Sequence, residues 1–201
     1  MMMPMQFLFG LGNPGEKYQF SRHNVGFFVL EEVARQHLVT GNIAKNALQR
    51  ELPFQSQQKL FANVLKHEDI LFVEPQTYMN ESGKAVRATI SYFDKKSQFA
   101  ADSQFPQVWV FHDDLDLEVG HYKIQFGTGP KIHNGLRSID EHLHTDQYWH
   151  VRIGVDGRQG NRALPSQDYV LAPFSLTEKK LIEEIAQQVA AEVLRRLAEP
   201  K

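Results

Sequence analysis

Short apolar runs alternate along this chain with stretches in which apolar residues recur at helical spacing. The runs have the length of β-strands and cover residues 5–11, 60–65, 70–73, 108–111, 122–126 and 151–155. Phe28 and Val33 recur at helical spacing after the first run, and a longer helical stripe occupies residues 181–197. Strands that alternate with helices are typical of α/β proteins. Because no composition break divides the chain, we predict one domain over residues 1–201, with its core at about 5–197.

The predicted architecture is a mixed central β-sheet flanked by helices. The runs at 60–65 and 70–73 are close enough along the chain to form an antiparallel hairpin. Helical stretches separate the other runs, except those at 108–111 and 122–126. Polar residues suited to helix capping stand at three predicted helix starts, Asn24, Ser82 and Ser175, the last with Glu178 in a capping box. Polar segments without clear periodicity predict loops at 40–58, 95–107 and 156–167.

A glycine-rich turn follows the first predicted strand. Residues 10–15 match the dinucleotide-binding pattern G-x-G-x-x-G, which requires the glycines to open a helix and an acidic residue to end a second strand. Here Pro14 extends the turn, and the acids at the right distance, Glu31 and Glu32, fall within a helical pattern. We therefore interpret the glycines as a turn that ends a strand rather than as a nucleotide cradle.

Composition narrows the possible functions. The 201 residues include 42% apolar and 23% charged residues and no Cys, which excludes disulfides, thiol nucleophiles and cysteine-ligated metals. The net charge of −2 does not by itself indicate a nucleic-acid partner. The start of the chain lacks a basic signal-peptide region, and no apolar run is long enough to span a membrane. We expect a cytoplasmic protein with no membrane association.

Polar side chains that suit catalysis stand after several predicted strands, at Asn13, His23, Asn80, Asp113 and Asn134. Each alone is better explained by a structural role such as a turn or a cap. In an open α/β sheet, however, strand ends converge into one crevice. A His in contact with an Asp there would form an oriented base that activates water. Side-chain amides nearby would bind polar groups of a substrate or donate to an oxyanion. Because no Gly-x-Ser-x-Gly elbow occurs, direct attack by water is the simpler mechanism.

The acidic cluster after the 108–111 run suggests an alternative, a metal-dependent hydrolase. Asp113, Asp114 and Asp116 with His112 offer ligands suited to Mg²⁺ or Mn²⁺. Adjacent carboxylates on a strand point in opposite directions, however, and no H-x-x-H or H-E-x-x-H spacing supports the site. We expect no metal there.

Several stretches share residue types, order and spacing with one known family. They are 10–15 with Tyr18, 22–26, 75–86, 112–120, 133–136 and 152–154. In these stretches the chain resembles the bacterial-type peptidyl-tRNA hydrolases, from residue 7 to about 175. Each stretch alone is a weak motif, but together and in register they are specific.

The resemblance implies an esterase that cleaves the bond between a peptide and the 3′ end of tRNA, and so recycles tRNA. His23 would be the general base, and Asp113 would orient and polarise it. Substrate contacts are implied at Asn13, Tyr18, Met79, Asn80 and Asn134. The resemblance also implies a peptidyl-tRNA hydrolase-like fold and a monomer that needs no metal or organic cofactor.

Contacts to tRNA phosphates are implied at Arg152, with Lys123 and Lys131 as further candidates. Two departures from the family pattern affect this prediction. Gln125 stands where the family usually has a basic residue, and the loop at 127–132 carries bulkier residues in place of glycines. Other basic residues could contact phosphates or simply be solvated, and they are Lys84, Arg87, Lys95, Lys96, Arg137, Arg158 and Arg162.

An RNA-binding protein that has lost turnover on the same fold is the second hypothesis. The altered loop at 127–132 keeps it open, whereas the intact His23 and Asp113 favour an enzyme.

Overall fold

A computed structural model describes residues 5–40, 52–100, 102–160 and 163–199. These residues contain one mixed β-sheet of seven strands in the order β2-β3-β4-β1-β5-β7-β6. The strands are Gln6–Gly10 (β1), Gln55–Gln57 (β2), Ala62–His67 (β3), Ile70–Pro75 (β4), Phe105–Glu118 (β5), Tyr122–Phe126 (β6) and Tyr148–Asp156 (β7). The central strands β4, β1, β5 and β7 are parallel, and the outer strands β2, β3 and β6 pair antiparallel with their neighbours. The predicted mixed sheet is confirmed.

Helices cover both faces of the sheet, as the strand–helix alternation predicts. They are Val25–Thr40 (α1), Ser82–Phe93 (α2), Asn134–Leu143 (α3), Ser166–Leu171 (α4) and Leu176–Ala198 (α5). Within the described residues, no helix is both long and apolar enough to cross a membrane.

The alternation of side chains along β1 divides the core between the two faces. Leu8 packs with α1 and α5, whereas Phe7 and Phe9 pack with α2 and α3. All three side chains are at most 1% exposed. Successive residues of a strand point to opposite faces, so an uninterrupted apolar strand is the expected sequence of a strand buried on both sides.

Glycines allow close packing between the end of β1 and the start of α1. A Cβ atom on Gly26 would lie 2.3 Å from the carbonyl oxygen of Phe111 and 2.6 Å from the amide nitrogen of Leu11, so only glycine lets the start of α1 approach these strands. The helix begins at Val25, beyond two 3-10 turns at Glu16–Tyr18 and Arg22–Asn24. The glycines therefore do not open a helix, which argues against the dinucleotide pattern.

The sequence-based boundaries were correct for most elements and wrong at several ends. The hairpin of β3 and β4 and the capping box of Ser175 and Glu178 are confirmed. Ser82 is the first residue of α2 and not its cap, and its hydroxyl donates to the Met79 carbonyl at 2.8 Å. Segments predicted as loops contain β2, the start of β5 and the start of α4, and residues 41–51 lie outside the described residues.

Candidate active site

A crevice of about 700 Å³ opens beside the carboxyl ends of β1 and β5. In a sheet with parallel central strands, this edge is where polar strand ends converge. All seven predicted catalytic and substrate-contact residues line it, namely Asn13, Tyr18, His23, Met79, Asn80, Asp113 and Asn134. The structure thus brings together side chains that are up to about 120 residues apart in sequence, in agreement with the rule that such sites form at strand ends.

Asp113 lies at the centre of this site on β5, with only 2% of its surface exposed. Two imidazoles contact the same carboxylate oxygen, Oδ1. The Nδ1 atom of His23 lies at 2.7 Å and the Nε2 atom of His133 at 3.0 Å. Burial alone would raise the pKa of Asp113, but the two histidines hold it well below its usual range. The carboxylate therefore remains ionised although it is buried.

His23 comes from the 3-10 turn that precedes α1. Burial lowers the pKa of His23, but the charge of Asp113 and the hydrogen bond to it outweigh burial, so the pKa is raised above its ordinary value. Because Nδ1 faces the carboxylate, Nδ1 carries the ring proton in the neutral form. The other nitrogen, Nε2, forms no hydrogen bond with the described residues and is available to accept a proton from water.

His133 is a part of the site that the sequence did not assign. Its Nδ1 accepts hydrogen bonds from the amide groups of Gly135 at 3.1 Å and Leu136 at 3.3 Å, so the side chain caps α3. Since Nδ1 accepts, the proton lies on Nε2, which donates to Asp113. Two signals pointed to His133, its position directly before a helix start and its place in the 133–136 stretch shared with the family. Neither indicated its role, and histidine is not a favoured cap.

Arg22 anchors the turn that carries His23. Its guanidinium forms two hydrogen bonds of 2.9 Å with the Glu178 carboxylate. It also donates to the carbonyls of Ala172 and Pro173 at 3.1 and 2.9 Å. The Tyr169 ring stacks on it at 4.0 Å. This network ties the His23 turn to α4 and α5, and such bidentate pairs fix geometry as well as charge.

Asn13 is oriented by its neighbours. Asn24 accepts from the amide nitrogen of Asn13 and donates to its carbonyl, both at 2.9 Å. Asn24 therefore holds the Asn13 backbone, and the prediction that Asn24 caps α1 was wrong. The Oδ1 atom of Asn13 accepts from the Met79 amide at 2.8 Å. With Oδ1 occupied, the amino group of Asn13 is the part that can serve a ligand in the crevice.

The other predicted substrate contacts form the walls of the crevice. Met79 is 4% exposed and packs against Gly135, where a Cβ atom would lie 2.5 Å from the Met79 sulfur. Asn80 and Asn134 are exposed at the start of helical turns, and Tyr18 is half-buried. The crevice thus combines apolar walls with amides that can reach a ligand, as binding sites commonly do.

The predicted phosphate contacts lie outside the crevice. Arg152, on β7, is only 8% exposed and donates to Asp114 Oδ2 at 2.7 Å and to Gln125 Oε1 at 2.8 Å. Lys123 lies directly opposite Arg152 in the antiparallel pair of β6 and β7, so both side chains project to one face. Lys123 and Lys131 are exposed. Arg162 lies outside the described residues.

The carboxylates of the proposed metal alternative do not converge. Asp113 contacts two histidines, whereas Asp114 pairs with Arg152 and accepts from the Asp116 amide at 2.8 Å. Within the described residues, two clusters of side chains come close enough to share a metal ion. Neither cluster contains Asp114 or Asp116. This arrangement follows from the alternating directions of neighbouring strand residues.

A mixed sheet covered by helices and a histidine oriented by a buried carboxylate are features of the general-base hydrolase class on an α/β fold. Comparison with known proteins narrows the class. The family model described as peptidyl-tRNA hydrolase matches residues 7–200. The chain therefore belongs to the peptidyl-tRNA hydrolase family.

Individual relatives agree with this assignment. The chain is 35% identical to the peptidyl-tRNA hydrolase of Rickettsia prowazekii, covering 97% of each chain. It is 36% identical to that of Ligilactobacillus salivarius, covering 93% of this chain and 90% of the relative. The crystal structure of peptidyl-tRNA hydrolase from Acinetobacter baumannii has a TM-score of 0.72 at 26% identity, covering 96% of this chain and 88% of that one.

Proposed function

We propose that the protein hydrolyses the ester bond between a peptide and the 3′ end of tRNA, and thereby returns tRNA for reuse. The contact of 2.7 Å between His23 and the buried Asp113 is the observation that carries this proposal. It supplies an oriented base at the floor of a crevice. Membership of the peptidyl-tRNA hydrolase family supplies the substrate.

In the proposed mechanism, the Nε2 atom of His23 accepts a proton from a water molecule while the water oxygen attacks the ester carbonyl. The positive charge that develops on His23 is stabilised by Asp113, which remains ionised. The tetrahedral intermediate then collapses and expels the 3′ oxygen of the tRNA, which receives a proton from the imidazolium. The products are a free peptide carboxylate and a free tRNA.

We propose that the amides of the crevice hold the reacting groups. The amino group of Asn13 is a donor for the carbonyl oxygen that becomes negative during attack, because its own Oδ1 is held by the Met79 amide. Asn80 and Asn134 bind the peptidyl main chain and the tRNA 3′ end, and Tyr18 and Met79 form the walls. These roles rest on the position of all five residues around one cavity.

The phosphate contacts are proposed at Arg152, Lys123 and Lys131. Arg152 donates to Asp114 through Nε and to Gln125 through Nη1. Its Nη2 group forms no hydrogen bond with the described residues, so it can still donate to a phosphate. Lys123 projects from the same face. Gln125 is neutral at a position where the family usually has a basic residue, so this face offers one positive charge fewer to a phosphate. We therefore expect the tRNA affinity to depend only weakly on salt concentration.

We also propose that the chain acts as a single-domain monomer in the cytoplasm. The continuous seven-stranded sheet supports one domain, and the family resemblance supports the other two statements. Light scattering of the purified protein should give the mass of one chain, and a dimer mass would contradict the proposal.

The proposed function is tested by hydrolysis of N-acyl-aminoacyl-tRNA. We expect the wild type to release the acyl-amino acid and His23→Ala to lose this activity by roughly 10²- to 10⁴-fold, the usual contribution of a general base. His121→Ala is a matched control, because His121 is exposed between β5 and β6. Binding of tRNA without cleavage by the wild type would support the RNA-binding hypothesis instead.

A further inference from the structure

A second group of two histidines and a carboxylate lies outside the lining of the crevice. His37 lies near the end of α1, His67 ends β3, and Glu68 begins the turn to β4. The Nε2 atom of His37 lies 3.0 Å from the Nδ1 atom of His67. One ligand atom from each of the three side chains lies within 4.8 Å of the others. The crevice lining includes none of these residues.

We propose that His37, His67 and Glu68 form a binding site for a borderline divalent metal ion such as Zn²⁺. Neutral imidazole nitrogens and a carboxylate oxygen are the ligands that Zn²⁺ takes where Cys is absent. The three ligands come from a helix, a strand and a turn. A bound ion would therefore join α1 to the hairpin of β3 and β4.

The distance between the two ring nitrogens fits a shared ion. In a tetrahedral site with Zn–N bonds of about 2.0–2.1 Å, two ligand nitrogens are about 3.3 Å apart. The observed separation is 3.0 Å, so a small outward movement of the rings admits an ion. Without a metal, one nitrogen must donate a proton to the other. The ion would replace that proton.

The packing of both rings limits the movement that the site requires. The rings of His37 and His67 meet edge to face, with centroids 5.0 Å apart and planes at 78°. His37 also packs on the Phe72 ring at 5.8 Å. Both histidines are half-buried, and Glu68 is exposed, so an ion can enter from solvent and keep a water molecule as a further ligand.

The exposed Glu68 carboxylate supplies negative charge beside the two rings. It would partly neutralise a bound cation, and its oxygen would complete a ligand set of two histidines and one carboxylate, which Zn²⁺ commonly takes.

The catalytic cluster is the competing metal-binding site, since His23, Asp113 and His133 also meet within 4.8 Å. There, however, both nitrogens of His133 are engaged, one by amide groups and one by Asp113. An ion would have to displace the protons that bind Asp113. At His37 and His67, an ion would displace the proton shared by Nε2 of His37 and Nδ1 of His67, and the buried Asp113 would keep both of its histidine partners, so the second site is favoured.

The test is Zn²⁺ titration of the full-length, chelator-treated protein, followed by calorimetry and thermal unfolding. We expect one saturable site and a rise in Tm of about 5–10 °C at a hundredfold excess over Kd. His67→Gln and His37→Gln should each abolish the Tm rise, and Glu68→Gln should weaken binding. His121→Gln is the matched control and should bind like the wild type.

The Zn²⁺ titration has two outcomes that would overturn the proposal. One is the absence of saturable Zn²⁺ binding to the wild type. The other is unchanged binding by His67→Gln together with loss of binding by His23→Asn, which would move the ion to the crevice. If a variant is unstable, Co²⁺ absorption of the wild type decides, because a mixed histidine and carboxylate site should give tetrahedral bands that disappear on adding Zn²⁺. Octahedral, weakly absorbing Co²⁺ would also contradict the site.

Discussion

Two places in the described part of the chain bring two histidines and a carboxyl group together, and they differ in where the carboxyl group lies. In the crevice, Asp113 is buried between His23 and His133, and each histidine donates to it. At the other site, His37 and His67 contact each other, and Glu68 is exposed at the side. The first arrangement raises the pKa of His23, whereas the second lowers the pKa of His37.

The difference shows that the position of the negative charge decides what a half-buried or buried imidazole can do. Burial lowers the pKa of both His23 and His37. At His23, the charge of Asp113 and the hydrogen bond to it outweigh burial, whereas at His37 the Glu68 charge opposes burial only in part. A histidine arranged like His23 can take up a proton during a reaction.

The largest expected effect follows from removing the buried charge. Asp113→Asn should lower kcat for N-acyl-aminoacyl-tRNA by about 10³- to 10⁴-fold, because the imidazolium of His23 loses its partner and the ring loses its fixed tautomer. Steady-state hydrolysis kinetics measure this change. Asp116→Asn, an exposed carboxylate on the same strand, should remain close to wild type. A fall of less than tenfold in Asp113→Asn would show that the charge is not needed.

A smaller effect is expected from His133, which tests whether the second histidine matters for catalysis or only for the helix. His133→Ala should lower kcat by about 10- to 100-fold. This fold-change corresponds to the free energy of one lost hydrogen bond to a charged group. It should also cost about 1 kcal/mol of stability through the lost cap of α3.

His133→Asn separates these two roles. Asn is a good helix cap but is too short to replace the contact with Asp113. We expect its stability, measured by urea unfolding, to be near that of the wild type while kcat stays low. If His133→Asn recovers full activity, the contact of His133 with Asp113 has no catalytic role.

The sequence predicted the sheet and most helices, because their signals are local. The apolar runs of β1, β4 and β7 and the helical stripe of α5 each lie within one short window. The helix α4 was missed because its six residues are too few for a periodic pattern. Strand β5 was predicted to end earlier, because Asp113 and Asp114 are rare inside strands and are tolerated here only by their histidine and arginine partners.

Only part of the site was predicted, because some of its side chains are placed by contacts between segments that are distant in sequence. His23 and Asp113 were found from their positions after predicted strands and from the family resemblance. The role of His133 depends on how the 127–132 loop approaches β5, and that of Arg22 depends on the packing of α4 and α5. No sequence pattern records these distant contacts. The pairing of His37 with His67 was missed for the same reason.

Glu74 is a buried carboxyl group like Asp113, but it has no histidine beside it. Burial, together with the neighbouring Glu31, raises the pKa of Glu74 to about 7. In the unfolded chain this group ionises near 4.5, so the native state binds more protons between these values and stability falls as pH rises through this window.

Glu74→Gln should therefore stabilise the protein at pH 8 by about 1 to 3 kcal/mol and change little near pH 4.5. Urea unfolding at both pH values measures the difference. Glu32→Gln, on α1 and half-buried, is the matched control for replacing a glutamate by glutamine. Equal effects at both pH values would show that Glu74 is not held in its neutral form.

The smallest expected effect concerns His37 in the absence of metal. Because its pKa in the native state is lowered, the unfolded chain binds more protons below the ordinary value of 6.5. Stability is therefore lost as pH falls through this range. His37→Gln should remove this loss, which we expect to be less than about 0.5 kcal/mol because water screens a half-exposed ring. Urea unfolding of the chelator-treated wild type and His37→Gln at about pH 5 and pH 8 measures how stability changes with pH. The same change in both proteins would contradict the prediction.

The most direct test of the central claim is an NMR titration of the histidine rings in the wild type and in Asp113→Asn. Both sites are read in one experiment, against the ordinary histidine pKa of 6.5. We predict that His23 titrates above this value in the wild type and below it in Asp113→Asn, while His37 titrates below it in both. If His23 titrates at the same pH with and without the Asp113 charge, the buried carboxylate does not set the basicity of His23, and the account is wrong.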